Sequence, residues 1–323
     1  MAARLHPAPR PLELIDLRRL TARDMEALLQ EECAAWLDEL GWDFEKSADL
    51  VRRFVDMRAL NGSALIENDQ ITGYMYWVLE EDKGLIGDLY VRRKHNGAGR
   101  EAMLIEAALE PIMLSPGVKR IESQLMLIGP DAVRTVPRAA YASVFARNFM
   151  RIDLTRAALA PGRLRKPVYI EKWHEHYADA SAGLIGAAYE GHIDGRINDQ
   201  YRSPAGARRF LHNIVQYPGC GTFYRPASYA AFDALTGRMC GVSLASIVAP
   251  DTGHITQICV APNVRGTGVG HELLRQSLTT LREMGCVSAS LTVTAANEDA
   301  VSLYERVGFR VVRRFSAYVW EGY

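Results

Sequence analysis

The sequence predicts an α/β (α+β) chain made of two tandem copies of one fold, each a mixed, mostly antiparallel sheet flanked by helices. Three observations carry this. An apolar run at 255–260 passes through the glycine turn Val264-Arg265-Gly266-Thr267-Gly268-Val269-Gly270 into an amphipathic segment ending at Met284. A second strand, glycine turn and helix stands upstream, at 86–91, 92–100 and 101–113. Setting Val91 on Val260 gives an offset of 169 (260 − 91), which lays Gly97 on Gly266, Gly99 on Gly268 and Leu104 on Leu273. A repeat of that length is a duplicated domain rather than a short solenoid unit.

The elements follow in order from pattern and punctuation. In the first half, 12–18 reads as a strand. Helical stretches cover 24–40 and 47–60, separated by Gly41-Trp42, and 64–68 with 71–79 forms a hairpin. The strand at 86–91, the helix at 101–113 and a strand at 121–128 complete the copy. In the second half, 168–173 is the opening strand, 177–190 and 205–217 are helices, and 227–234 pairs with 238–248 around Thr236-Gly237. The strand 254–260, the helix to Met284, a strand at 289–294, a short helix stopped by Gly308 and a closing strand at 310–320 follow. The expected domains are 11–160 and 167–323, joined at the proline- and glycine-bearing basic segment 160–167.

Composition bounds the function. A chain of 323 residues with 48% hydrophobic content can bury two ordinary cores. Lysine plus arginine and aspartate plus glutamate number 38 each, so charge favours neither a nucleic acid nor an anionic membrane as partner. The five cysteines are scattered without metal-ligand spacing and read as reduced thiols. The pair His174 and His176 lacks a third ligand, so no metal is expected. No run has transmembrane length and the proline-broken start has no export core, which predicts a cytoplasmic protein. A homodimer is left open.

The glycine turn at 265–270 carries the chemistry. Glycines at alternate positions leave backbone N–H groups bare, the helix N-terminus adds a positive dipole end, and Arg265 adds a fixed charge. Together they make a diphosphate cradle. A dinucleotide fingerprint counted from Gly266 fails, because His271 stands where the third glycine is needed. A P-loop fails because no lysine follows. What remains is Arg-x-x-Gly-x-Gly, as Arg265, Gly268 and Gly270. Downstream stands Asn297-x-x-Ala300-x-x-Leu303-Tyr304, followed by Gly308-Phe309.

These two signatures, in this order and spacing over the last quarter of the chain, resemble those of the GNAT (GCN5-related) N-acyltransferases. The resemblance implies two tandem GNAT folds and an acyl-CoA cosubstrate, most simply acetyl-CoA. It also implies direct transfer to the amine of a small molecule or amino-acid-like acceptor. It assigns the CoA diphosphate to Arg265, Gly266, Thr267, Gly268, Val269 and Gly270. The Ile258 amide becomes the oxyanion donor at a bulge in the fourth strand, and Val260 the partner of the pantetheine amides. Cys259 between them reads as a small wall residue, since direct transfer needs no acyl-enzyme. Tyr304 is expected to protonate the departing thiolate, and Asn297 to hold the pantetheine arm or cap the following helix. His254, four residues before Ile258, shares its face by the period of two and is the candidate base, with Thr256 between them able to order a water. The loop between the first two helices carries Asp194, Asp199 and Tyr201 as candidates to hold a cationic amine.

The first copy departs from the pattern. Asn96 replaces Arg265, and Glu101 puts a carboxylate where Gly270 stands. Setting Phe149 on Phe309 places Val144 opposite Tyr304 and Pro137 opposite Asn297. The N-terminal copy is therefore expected to lack catalysis. The alternative for the whole chain is a non-catalytic acyl-CoA-binding sensor or assembly protein.

Overall fold

The structure is a computed structural model, which describes residues 12–97, 99–217 and 219–323. The chain forms two compact units, and neither is one contiguous stretch of sequence. The first takes residues up to Trp36 with Phe44–Val144 and Ser316–Tyr323; the second takes Leu37–Asp43 and Phe145–Phe315.

In the first unit β1 (Glu13–Asp16) leads into α1 (Ala22–Leu40) and α2 (Glu45–Asp56). The strands β2 (Asn61–Glu67), β3 (Gln70–Glu80) and β4 (Lys83–Val91) then form an antiparallel meander. The crossover helix α3 (Arg100–Met113) brings β5 (Arg120–Gln124) parallel to β4. Leucine, isoleucine and alanine recur along one face of α3 and bury Leu104, Ile105, Ala108, Leu109 and Ile112 against the sheet. A long strand, β6 (Ala142–Asp153), ends the first half-chain.

The second half-chain repeats the order. It runs β7 (Val168–Lys172), α4 (Ala178–Tyr189), the single turn α5 (Asp194–Ile197) and α6 (Pro204–Gln216). The short β8 (Thr222–Phe223), β9 (Tyr229–Asp233), β10 (Met239–Ala249) and β11 (Thr252–Val260) follow. Then come α7 (Val269–Glu283), β12 (Ser288–Thr294), α8 (Glu298–Val307) and β13 (Arg310–Glu321). The sheet of this unit runs β6-β12-β11-β10-β9-β7, with β11 and β12 parallel and its other ladders antiparallel. α7 packs on one face; α4 and α6 cover the other. Both units are thus mixed, mostly antiparallel sheets flanked by helices.

The closing strands are exchanged between the halves. β6, from the first half-chain, pairs with β12 over Arg147–Asp153. The end of β13 pairs with β5 over Ala317–Glu321. There Tyr318 and Trp320 sink into the core of the first unit, a burial worth about 1.5–3 kcal/mol for each large apolar side chain.

These ladders correct one alignment made from sequence. Lys83 pairs with Arg120 as Thr252 pairs with Ser288, so Arg120 and Ser288 correspond. Glu321 pairs with Arg120 and Asp153 with Ser288, so Phe149 corresponds to Ala317, not to Phe309. Val144 lies in β6 rather than opposite Tyr304. Where the second unit has α8, the first has turns over 125–138 and no helix. Gly129-Pro130 and Pro137 break the segment, and the Pro137 carbonyl accepts from Trp320 Nε1 at 2.8 Å.

Candidate active site

The cleft of the second unit starts where two parallel strands part. β11 and β12 pair only from Thr252/Ser288 to His254/Ser290. β12 stays paired with β6 along its whole length, and among the described residues none pairs beyond that point with the edge of β11 that faced β12. The gap opens into a cleft of about 720 Å³. Its walls include Ile258, Cys259, Val260, Arg265, Gly266, Gly268, Gly270, Asn297 and Tyr304. The loop and the tyrosine, 34 residues apart (304 − 270), thus face one space.

The turn into α7 forms one wall of this cleft. Gly268 sits in the left-handed region at φ 91 as the cap before Val269. A Cβ there would lie 2.4 Å from the Arg163 carbonyl oxygen, so glycine is required twice over. The helix that follows has 15 residues, and Gly270 and His271 in its first turn line the cleft. Arg265 is steadied by donating from Nη2 to the Ala188 carbonyl at 2.6 Å, at the end of α4. Val269 is buried in the core beneath, and the Thr267 hydroxyl donates to the Val264 carbonyl at 2.6 Å. Of the loop side chains, Arg265 therefore faces the cleft and Thr267 and Val269 serve the turn.

The expected bulge in β11 is present, and it overturns the placement of His254. Between Leu244 and Ala245 the register slips, so Thr256 is an extra residue opposite β10. The extra residue inverts the alternation. Gly253 and Ile255 face α7, as Leu281, Leu274 and Leu278 attest, and Ile258 and Val260 face it again beyond the bulge. Gln257 and Cys259 point the other way, toward α4. His254 therefore lies on the face opposite Ile258. It is buried under Trp42, at 4.8 Å between ring centroids, and bonded to Ser290 Oγ at 2.9 Å. Burial pushes its pKa down to about 3, so it stays neutral. The Thr256 hydroxyl is spent on the Leu244 carbonyl at 3.0 Å.

Around the cleft, burial sets the proton chemistry. Tyr304 is nearly enclosed, and burial first, then the Asp194 charge, push its pKa well up. It remains a phenol with a proton to give. Burial pushes the Cys259 thiol up to about 12, which leaves no thiolate at neutral pH. Asn297 Oδ1 accepts from the Ala300 amide at 3.3 Å and caps α8, the helix that carries Tyr304.

The three acceptor candidates are not on the cleft wall. Asp194, at the start of α5, binds Arg147 Nη1 at 3.1 Å and the Thr294 hydroxyl. Asp199 lies in the 3-10 turn Asp199–Arg202. Tyr201 stacks on Tyr189 with centroids 4.3 Å apart. It is Tyr189 and His192 that line the cleft on this side, and sequence reasoning did not single them out. Arg147 was also missed. It lies within the expected N-terminal domain, 11–160, and no local motif marks it; only the pairing of β6 with β12 brings it here. Among the described residues no group of His, Cys, Asp and Glu could hold a metal ion, and no helix is long and apolar enough to cross a membrane.

Known proteins share this architecture. Residues 160–309 match the Acetyltransferase (GNAT) family model. A mycothiol acetyltransferase of Corynebacterium jeikeium is 39% identical over 61 residues, which are 19% of this chain and 18% of that protein. One from Saccharopolyspora erythraea is 25% identical over 264 residues, 74% of this chain and 78% of that protein. Among solved structures, a GCN5-related N-acetyltransferase from Sphaerobacter thermophilus superimposes with a TM-score of 0.69 at 19% identity, covering 96% of this chain and 95% of that one. A tandem GNAT protein from the clavulanic acid biosynthesis pathway gives 0.59 at 19% identity, covering 96% and 98%. Residues 160–309 are thus similar in sequence to the GNAT acetyltransferase family, and the chain has the fold of tandem GNAT structures, with two such α/β units.

Proposed function

We propose that the second unit transfers an acyl group, in the simplest case acetyl, from CoA directly to the amine of a small-molecule or amino-acid-like acceptor. The first unit serves as its catalytically silent companion. The observation that carries this reading is a single cleft shared by the Arg265–Gly270 turn and Tyr304. The residues present fit the cosubstrate: bare amides and Arg265 suit a diphosphate, and the apolar wall of Ile258, Cys259 and Val260 suits a narrow arm.

Each side chain then has one task. Arg265 and the amides at the start of α7 anchor the donor. The Ile258 amide, on the freed edge beyond the bulge, polarises the thioester carbonyl as negative charge develops on its oxygen. The amine nitrogen forms the new C–N bond as the C–S bond breaks, and the Tyr304 phenol gives its proton to the leaving thiolate. The proton released by the amine leaves to water, and Tyr304 is reprotonated from solvent. We assign no proton transfer to His254. Its burial and its position on the far face remove the support for a base at that residue.

The acceptor panel that tests this should include the acceptor of the mycothiol acetyltransferases alongside simple amines and amino-acid derivatives. Tyr304→Phe is expected to lower kcat about 10²- to 10⁴-fold with the affinity for CoA unchanged, the range for loss of a general acid. Tight CoA binding without turnover of any amine would instead favour the sensor.

A further inference from the structure

The segment between α4 and α6 meets β12 through the Thr294 hydroxyl, which donates to Asp194. Its further anchors come from β6, the strand supplied by the first half-chain. Two independent contacts make the attachment. Arg147 Nη1 donates to Asp194 Oδ1 at 3.1 Å and to Thr294 Oγ1 at 2.7 Å, while Nη2 reaches Thr292 Oγ1 at 3.4 Å. Two residues back, the Phe145 ring carries the Arg196 guanidinium at 5.2 Å from its centroid. Asp194 and Arg196 are both in α5, so one turn of helix is pinned twice to the same strand.

From there the contacts run into the cleft. The Asp194 amide donates to His192 Nδ1 at 3.2 Å, and His192 Nε2 lies 3.3 Å from Asn297 Nδ2. His192 and Asn297 both line the cleft, and Asn297 caps the helix bearing Tyr304. The Arg147 and Asp194 side chains are only 11% and 13% exposed, so removing either leaves the other charge buried and poorly compensated. The donor side is held separately: Arg265 is fixed by the Ala188 carbonyl and has no part in this chain of contacts.

We propose that Arg147 is the positioning residue for the acceptor. It holds the 191–201 segment against β6, and through His192 it sets the wall that the amine meets. The proposal rests on the acyltransferase reading above. It places a determinant of acceptor selectivity outside the part of the chain that carries the family pattern.

The test uses the full chain and the amine with the highest kcat/KM in the panel. Arg147→Ala and Asp194→Asn should raise the acceptor KM at least ~10-fold and leave the acetyl-CoA KM within about 2-fold, with Arg147→Lys recovering part of the loss. Hydrogen–deuterium exchange of Arg147→Ala should be faster over 191–199 and unchanged over 269–283. Unchanged acceptor KM together with unchanged exchange would overturn the proposal. So would a parallel rise of both KM values with a fall in Tm, which marks a general loss of structure. If the parent chain turns over no amine, the acyltransferase reading fails, and the exchange measurement alone still decides whether Arg147 holds the segment.

Discussion

The turn before α3 and the turn before α7 have nearly the same backbone and opposite contents. Asn96 and Arg265 stand at φ −63, ψ 145 and φ −61, ψ 145. Gly97 and Gly266 follow at φ 82 and 73, and Gly99 and Gly268 at 79 and 91. In the first unit the Glu101 carboxylate folds back and accepts from the Gly97 amide at 3.1 Å, wholly buried at the helix N-terminus. In the second unit Gly270 leaves that place open to the cleft. A helix N-terminus draws an anion whatever its source. One copy supplies it from its own chain; we read the other as leaving the place for a ligand.

The largest effect should come from copying the first turn into the second. Gly270→Glu is expected to weaken CoA binding about 100-fold, or ~2.7 kcal/mol, by titration calorimetry. Gly270→Ala is the control, because its Cβ would meet Val260 at an ordinary 3.7 Å. If the glutamate variant binds CoA like the parent, the contrast between the turns has no functional meaning.

A second contrast lies in the strands before those turns. Asp88 stands at the offset of Gln257 (257 − 88 = 169). Gln257 Nε2 donates to the Tyr189 hydroxyl at 3.3 Å. Asp88 is instead buried with Glu32, which accepts from the Tyr74 hydroxyl at 2.8 Å, and the Leu89 amide donates to Asp88 at 2.7 Å. Burial raises the pKa of both carboxyls, and the mutual repulsion adds to it at Glu32. With folded values above the unfolded value of about 4, the stability the pair contributes is complete at lower pH. It is lost as pH rises through the raised values. Asp88→Asn should therefore raise Tm relative to the parent at pH 8 and change it little at pH 4. An equal difference at both values would show that the pair does not ionise in this range.

The smallest effect tests the plug itself. Glu101→Ala removes a carboxylate from the first turn of α3 and its bond to Gly97, which should cost about 1 kcal/mol in urea unfolding. No loss would mean that the carboxylate contributes nothing to the turn.

Much of this was legible in sequence because it depends on neighbours in the chain. The strand, glycine turn and helix at 255–284 announce themselves through apolar periodicity and glycines where the backbone needs positive φ. The signature at 297–309 does the same through a capping Asn297 and a stop at Gly308, both present as read. The repeat offset of 169 holds through the bulges: Gly87 is the extra residue in β4 as Thr256 is in β11. His254 was misplaced because a bulge adds one residue without any mark in composition, and every side chain beyond it changes face. The pairing of Phe149 with Phe309 failed because it was anchored on residue type after a segment whose prolines had replaced a helix with turns.

By itself, then, the sequence determined the two α/β copies, the glycine turn at 265–270, and the helix that presents Tyr304. Each is encoded within a dozen residues by local propensity and spacing. Only the tertiary structure decided which strand closes each sheet, that Trp42 seals His254 away from the cleft, and that Arg147 reaches Asp194. Such contacts join residues that lie 47 to 212 positions apart (194 − 147 and 254 − 42). They are selected by burial and pairing across the whole chain, which no short window of sequence records.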